Sequence, residues 1–191
     1  MIYLDSAATS FQKPASVGRA MTWAMGALSS PGRGGYQAAM RAADTALSCR
    51  TELQELFHVP EPEQVVFTLN ATHALNIAIK SLVPQGGRAV ISGYEHNAVT
   101  RPLKALGAEV TVARGSLFHP DEVLEAFQKA VKPGAGAVVC ARVSNVFGFA
   151  QPLEGIAAIC REQGVPLIVD ASQSAGILPL DLHALGAAFL A

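Results

Sequence analysis

The sequence predicts an α/β fold in three layers, a mostly parallel sheet with helices on both faces. Three observations predict it. Short apolar runs that read as strands, at Val65–Thr68, Ala89–Ser92, Glu109–Ala113, Ala137–Ala141 and Pro166–Val169, alternate with longer segments of helical periodicity. Repeated β-α units of this spacing build parallel sheets, because each return to the same edge needs a crossover. The run Val165–Val169 is apolar throughout, as in a strand covered on both sides. Half of the 191 residues are hydrophobic and only 15% are charged, which suits a buried sheet with a real core.

In chain order, Ile2–Leu4 is a short apolar segment and Asp5–Thr9 a small-residue loop. Pro14 fits the first turn of a helix running to about Leu28. Ser30–Gly35 is a glycine-rich loop around Arg33, and Tyr36 to Phe57 reads as a long helix ended by Pro60 and Pro62. The strand Val65–Thr68 leads into a helix over Thr72–Leu82, and Ala89–Ser92 into a helix over Asn97–Leu106. After Glu109–Ala113 comes a helix over Pro120–Val131, with Pro120 at its start and Asp121 and Glu122 where the helix dipole favours acids. Ala137–Ala141, a helix over Leu153–Gln163 and the strand Pro166–Val169 follow. The last residues, about Ala187–Ala191, resemble the inside of an unfinished strand, so the chain is expected to be part of a longer protein.

Charge and composition exclude some functions. The formal net charge is −1 and no basic-aromatic stripe appears, so there is no footprint for nucleic acid or an anionic membrane. No apolar stretch reaches the ~18 residues that span a bilayer. Cys49, Cys140 and Cys160 match neither a disulfide framework nor a metal spacing, and read as core thiols of a reducing cytoplasm.

The strand ends are where chemistry is expected, since ligands of open α/β sheets collect beyond the carboxyl ends of the strands. Asn70-Ala71-Thr72 stands where a helix opens. Backbone amides plus a hydroxyl there suit a phosphate, or simply a helix cap at Asn70 or Thr72. Glu95-His96-Asn97 joins an acid, an imidazole and an amide at one junction, a general acid/base set, although an isolated histidine is more often structural. Asn145 follows a third strand. Asp170 ends a fourth and suits either a protonated ligand nitrogen or a cap of the next turn, with Gln173 one turn further on. Thr72, His96, Asn145 and Asp170 at successive strand ends point to one shared ligand site rather than four separate caps.

Taken together, Tyr3–Thr9, Asn70-Ala71-Thr72, Glu95–Val99, Ser144-Asn145, Gln151-Pro152-Leu153 and Val169–Gly176 resemble the pyridoxal-phosphate enzymes of fold type I. Within them the chain is similar to the class V aminotransferase group, and to the cysteine desulfurases above all. The resemblance implies that residues 1–191 hold the N-terminal segment and most of the cofactor-binding large domain. It implies pyridoxal 5'-phosphate as cofactor, with Ala71 and Thr72 on its phosphate and His96 stacked on the ring and moving protons. Asn145 and Gln173 would bond the ring's phenolic oxygen or its neighbours, and Asp170 the protonated ring nitrogen; no metal is implied. It implies L-cysteine as substrate, a homodimer, and a sulfur-acceptor protein as partner.

Two features depart from that group. His73 stands where an acidic residue often follows the phosphate-binding threonine. The lysine that carries the cofactor belongs after a further strand, which here would be about Ala187–Ala191. None of Lys13, Lys80, Lys104, Lys129 or Lys132 matches its position. The group's catalytic cysteine also falls later, so none of Cys49, Cys140 or Cys160 is assigned as sulfur acceptor. Two other outcomes fit the same residues: a transaminase or lyase on the same scaffold, and a lysine-less, non-catalytic binding domain.

Overall fold

The computed structural model describes residues 2–191. Two compact units divide it, one up to Val66 and the other Phe67–Ala191. The first contains α1 (Ala15–Ala27), which starts directly behind Pro14, and α2 (Gln37–Phe57), which ends as His58 turns into the left-handed region at φ 52°. A 3-10 turn, Pro62–Gln64, follows. Both helices lie within a residue or so of their expected bounds. α2 buries only Ala39 and Ala42, and α1 buries none of its residues. Cys49, expected in the core, is exposed on α2, because the buried face of that helix lies near its start.

The second unit contains α3 (Ala71–Leu82), β1 (Arg88–Ser92), α4 (Asn97–Ala105), β2 (Glu109–Ala113), α5 (Pro120–Ala130), β3 (Ala137–Ala141), α6 (Leu153–Gln163), β4 (Leu167–Asp170), α7 (Leu182–Leu185) and β5 (Phe189–Leu190). The five strands form one sheet in the order β2-β1-β3-β4-β5, and every neighbouring pair is parallel. On one face Ala89, Ile91, Ala137, Val139 and Ile168 pack under Leu75 and Ile79 of α3 and Val99 and Leu103 of α4. Side chains alternate across a strand, so Val90, Val138, Cys140, Leu167 and Val169 look the other way. They too are buried, as are Val123 and Phe127 of α5 and Ile156 and Cys160 of α6. All positions of β3 and β4 are buried, the signature of a strand covered on both faces.

Local chemistry sets the helix starts. Asn70 caps α3 by accepting from the His73 amide at 2.9 Å, so the helix opens at Ala71, one residue earlier than expected. α5 has Pro120 at its first position and Asp121 and Glu122 in its first turn. α6 stops at Gly164, whose φ of 64° suits a residue without Cβ.

The sequence differs from the structure in three places. Val65–Thr68, expected as a strand, forms none, and Val66 and Phe67 lie exposed. An apolar run becomes a strand only when a neighbouring strand shares its backbone bonds in a ladder, and local composition alone does not supply that neighbour. α7 was not expected; Asp181 caps it through the Ala184 amide at 2.7 Å and Gly186 ends it. The expected final strand is shortened to Phe189–Leu190.

Candidate functional site

Strand order reverses at β1, which lies between β2 and β3. The carboxyl ends on either side of that point are where α/β sheets hold ligands. Register aligns them. Ala141 at the end of β3 is opposite Asp170 at the end of β4, and the last residue of β1, Ser92, is one step beyond the Ile91–Val139 pair.

Asp170 is 6% exposed, a carboxylate set in the interior. Its Oδ1 accepts from the Ser172 amide at 3.0 Å and the Ser172 hydroxyl at 2.6 Å. The cap reading of Asp170 therefore holds. A carboxylate this buried at a strand end is costly unless it is hydrogen-bonded or meets a cation.

Beside it lies a polar cluster that sequence reasoning only half found. The Glu95 carboxylate accepts from the Ala141 amide, 3.0 Å from each oxygen, and from the Ser92 hydroxyl at 2.5 Å. Ser92 in turn accepts from the Tyr94 amide and from Gln151 Nε2, each at 3.1 Å. Gln151 Nε2 also donates to the Ala141 carbonyl at 2.7 Å, which fixes the orientation of its amide, and its Oε1 is buried without a partner among the described residues. Glu95 as a residue is partly buried, but its carboxylate is the part that enters the interior. Burial pushes that carboxyl up to about 7, against the lowering effect of the Ser92 and Ala141 bonds, and the Asp170 charge pushes the same way as burial. Glu95 was legible as part of an acid-imidazole-amide set. The links to Ser92 and Gln151 carried no local sequence signal.

Thr72 and His96 come together. Both line one groove of about 290 Å³ between α3 and α4, with Asn76, Lys80 and Arg101. The amides of Ala71 and Thr72, at the first two positions of α3, have no intrahelical acceptor, while His73 is taken by Asn70. His96 caps α4, its Nδ1 accepting from the Ala98 amide at 3.1 Å, so the neutral ring carries its proton at Nε2. Asn145 sits exposed on the turn after β3, where the Ser144 hydroxyl accepts from Val146 and Phe147 at 3.4 Å. Gln173 is half-buried in the turn after β4. Both stand at the same sheet edge as the others, and no described contact joins Asn145 to them.

The model of the aminotransferase class-V family matches residues 2–191. The chain belongs to the class-V aminotransferase family. A cysteine desulfurase IscS of Pectobacterium carotovorum is 31% identical, over 96% of this chain and 47% of that protein. A cysteine desulfurase from Thermococcus onnurineus, solved in its apo form, superimposes with a TM-score of 0.89 at 28% identity, over 99% of this chain and 48% of that one. The cystine C-S lyase C-DES, solved with cysteine persulfide, is 25% identical with a TM-score of 0.82, over 93% and 49%. The chain thus spans about half the length of the relatives it matches.

Members of the class-V family and its cysteine desulfurases use pyridoxal phosphate. Against that family the two departures take physical form. His73 offers no carboxylate; its Nδ1 accepts from the Leu69 amide at 3.5 Å, which braces the loop before α3. The five lysines of the chain are all exposed; Lys13 donates to the Ser10 carbonyl at 2.7 Å and Lys129 pairs with Glu125 at 3.5 Å. Lys80 lies two turns along α3 from Thr72. Cys140 and Cys160 are thiols that burial pushes up, Cys160 to about 12, so neither is poised as a thiolate.

Proposed function

We propose that this chain forms the cofactor-binding part of a pyridoxal-phosphate-dependent cysteine desulfurase, which takes the sulfur of L-cysteine and leaves alanine. The single observation that carries the reading is Asp170: a buried carboxylate at a strand end, held through Oδ1 by Ser172, at the same sheet edge as Thr72 and His96. The cofactor fits these residues. A cationic pyridine nitrogen suits the buried Asp170 carboxylate, and a phosphate dianion suits the amides of Ala71 and Thr72 at the start of α3.

When bound, the cofactor supplies an electron sink for the amino acid's Cα. Asp170 holds a proton on the ring nitrogen. Thr72 and Ala71 anchor the phosphate. His96 would stack on the ring and would offer its Nε2 proton to the reacting atoms. Asn145 and Gln173 hydrogen-bond the phenolic oxygen or its neighbours. In the overall reaction the C–S bond of cysteine breaks, a protein thiol takes the sulfur as a persulfide, and alanine leaves. None of Cys49, Cys140 and Cys160 is proposed as that thiol.

The working form is proposed to be a homodimer of the cytoplasm, serving sulfur metabolism and passing sulfur to an acceptor protein. The α1 surface supports assembly, with Trp23 51% and Met25 81% exposed on a helix that buries nothing. Unpaired thiols support a reducing compartment.

The test is product analysis of the full-length protein with pyridoxal phosphate and L-cysteine under reductant. Equal yields of sulfide and alanine are expected. Pyruvate and ammonia would make it a lyase, and amino transfer to a 2-oxo acid a transaminase. Failure to bind pyridoxal phosphate at all would make it a non-catalytic domain.

A further inference from the structure

Within the β3 strand, alternate amides point to opposite neighbours. Val138 and Arg142 donate toward β4, to Pro166 at 2.9 Å and to Asp170 at 2.8 Å. The Ala141 amide therefore faces β1. That strand ends at Ser92, one residue past its last pairing with β3, and the ladder between the two strands stops short of Ala141. A buried amide without an acceptor is costly. The Glu95 carboxylate supplies the acceptor, 46 residues away in sequence. Its second anchor is Ser92, a hydroxyl 1% exposed that gives its proton to Glu95 and takes two bonds, from Tyr94 and Gln151.

We propose that Glu95 is a positioning residue: by joining the end of β1 to the Ala141 amide, it fixes the turn that carries His96 relative to Asp170 on the next strand. His96 is the residue after Glu95, and Asp170 is the register partner of Ala141. The bond to Ala141 thus links the two groups across two strand spacings. Asp170 on β4 and Cys140 on β3 are the ionisable groups that sense the Glu95 charge. This proposal rests on the cofactor-site reading above, which gives the His96–Asp170 spacing its purpose.

The test compares wild type with Glu95→Ala, Glu95→Gln and Ser92→Ala. The first readout is the NMR titration of the His96 imidazole without cofactor; the second is the affinity for added pyridoxal phosphate. A second inflection from Glu95, near pH 7, is expected in the wild-type His96 titration and is absent from both Glu95 variants. Glu95→Ala is expected to weaken cofactor binding by roughly tenfold, the equivalent of one lost net hydrogen bond. Glu95→Gln retains an acceptor for both Ser92 and Ala141 and is expected to stay within about threefold, a rescue that a mere charge effect would not give. If Glu95→Ala does not fold, Ser92→Ala decides, with a loss of about threefold expected. Wild-type cofactor affinity together with an unchanged His96 titration, in whichever of these two variants folds, overturns the proposal. Wild-type protein that binds no pyridoxal phosphate refutes the functional reading instead, and the His96 titration then decides the positioning role alone.

Discussion

Replacing Glu95 by Gln removes a carboxyl that the fold holds away from its ordinary ionisation. In the folded chain it titrates at about 7, against 4.5 for the free group. The folded state therefore holds this proton more tightly than the unfolded state. Its stabilising contribution is full below pH 4.5 and is lost as pH rises through 7. The difference of 2.5 units, at 1.36 kcal/mol each, bounds the effect at roughly 3 kcal/mol between pH 5 and pH 8. Glu122 and Glu154, which are shifted the other way, act below this window. All other titratable groups are common to both proteins, so the difference between variants isolates Glu95. The assay is urea unfolding of wild type and Glu95→Gln at unit steps from pH 5 to pH 8. Wild type is expected to lose up to roughly 3 kcal/mol more than the variant as pH rises. Parallel profiles, within about 0.5 kcal/mol, would refute the burial of this carboxylate and the cluster built around it.

Other perturbations give separate readings. In the full-length protein, Asp170→Asn is expected to cut turnover on L-cysteine by a hundredfold or more with the circular dichroism unchanged, since a charge-assisted bond is worth roughly 1.5–3 kcal/mol before any effect on the ring nitrogen; near wild-type turnover would remove Asp170 from the mechanism. Thr72→Ala should weaken cofactor retention by about tenfold, and saturating pyridoxal phosphate should restore its rate, whereas a rate that stays low argues against a phosphate contact. Phe127→Ala empties a fully buried site on α5 and is expected to cost about 3–5 kcal/mol in urea unfolding; a loss under 1 kcal/mol contradicts the packing described. Borohydride treatment of the 191-residue chain with pyridoxal phosphate is expected to leave no stoichiometric adduct on Lys13, Lys80, Lys104, Lys129 or Lys132, as read by peptide mapping. One such adduct, with sulfide release from cysteine, would show the lysine to be misassigned.

Most of the architecture was written in local chemistry. Apolar runs at Ala137–Ala141 and Leu167–Val169 are strands because they have nothing polar to show solvent, and the structure buries every residue of both. Pro120 and Gly164 bound helices for reasons that lie within a residue or two. The polar groups of the candidate site were legible for the same reason: Thr72, His96, Asn145 and Asp170 each break an apolar pattern at a strand or helix boundary, where local rules can see them.

What required the tertiary structure is non-local. Whether an apolar run becomes a strand depends on a neighbouring strand, and Val65–Thr68 is not one of the five strands of the sheet, so its β-like composition stays unexpressed. Whether a thiol is in the core depends on what covers it, and Cys49 is uncovered while Cys140 and Cys160 are not. The order β2-β1-β3 that puts Ser92 beside Ala141 is a choice among topologies that the residues of any one strand do not encode. Glu95 illustrates the division. Sequence places an acid before His96. Only the sheet brings the Ala141 amide, left without a strand partner where β1 ends, within 3.0 Å of that acid. A hydrogen bond between residues 46 apart forms only once the chain between them has folded, and no local pattern records it.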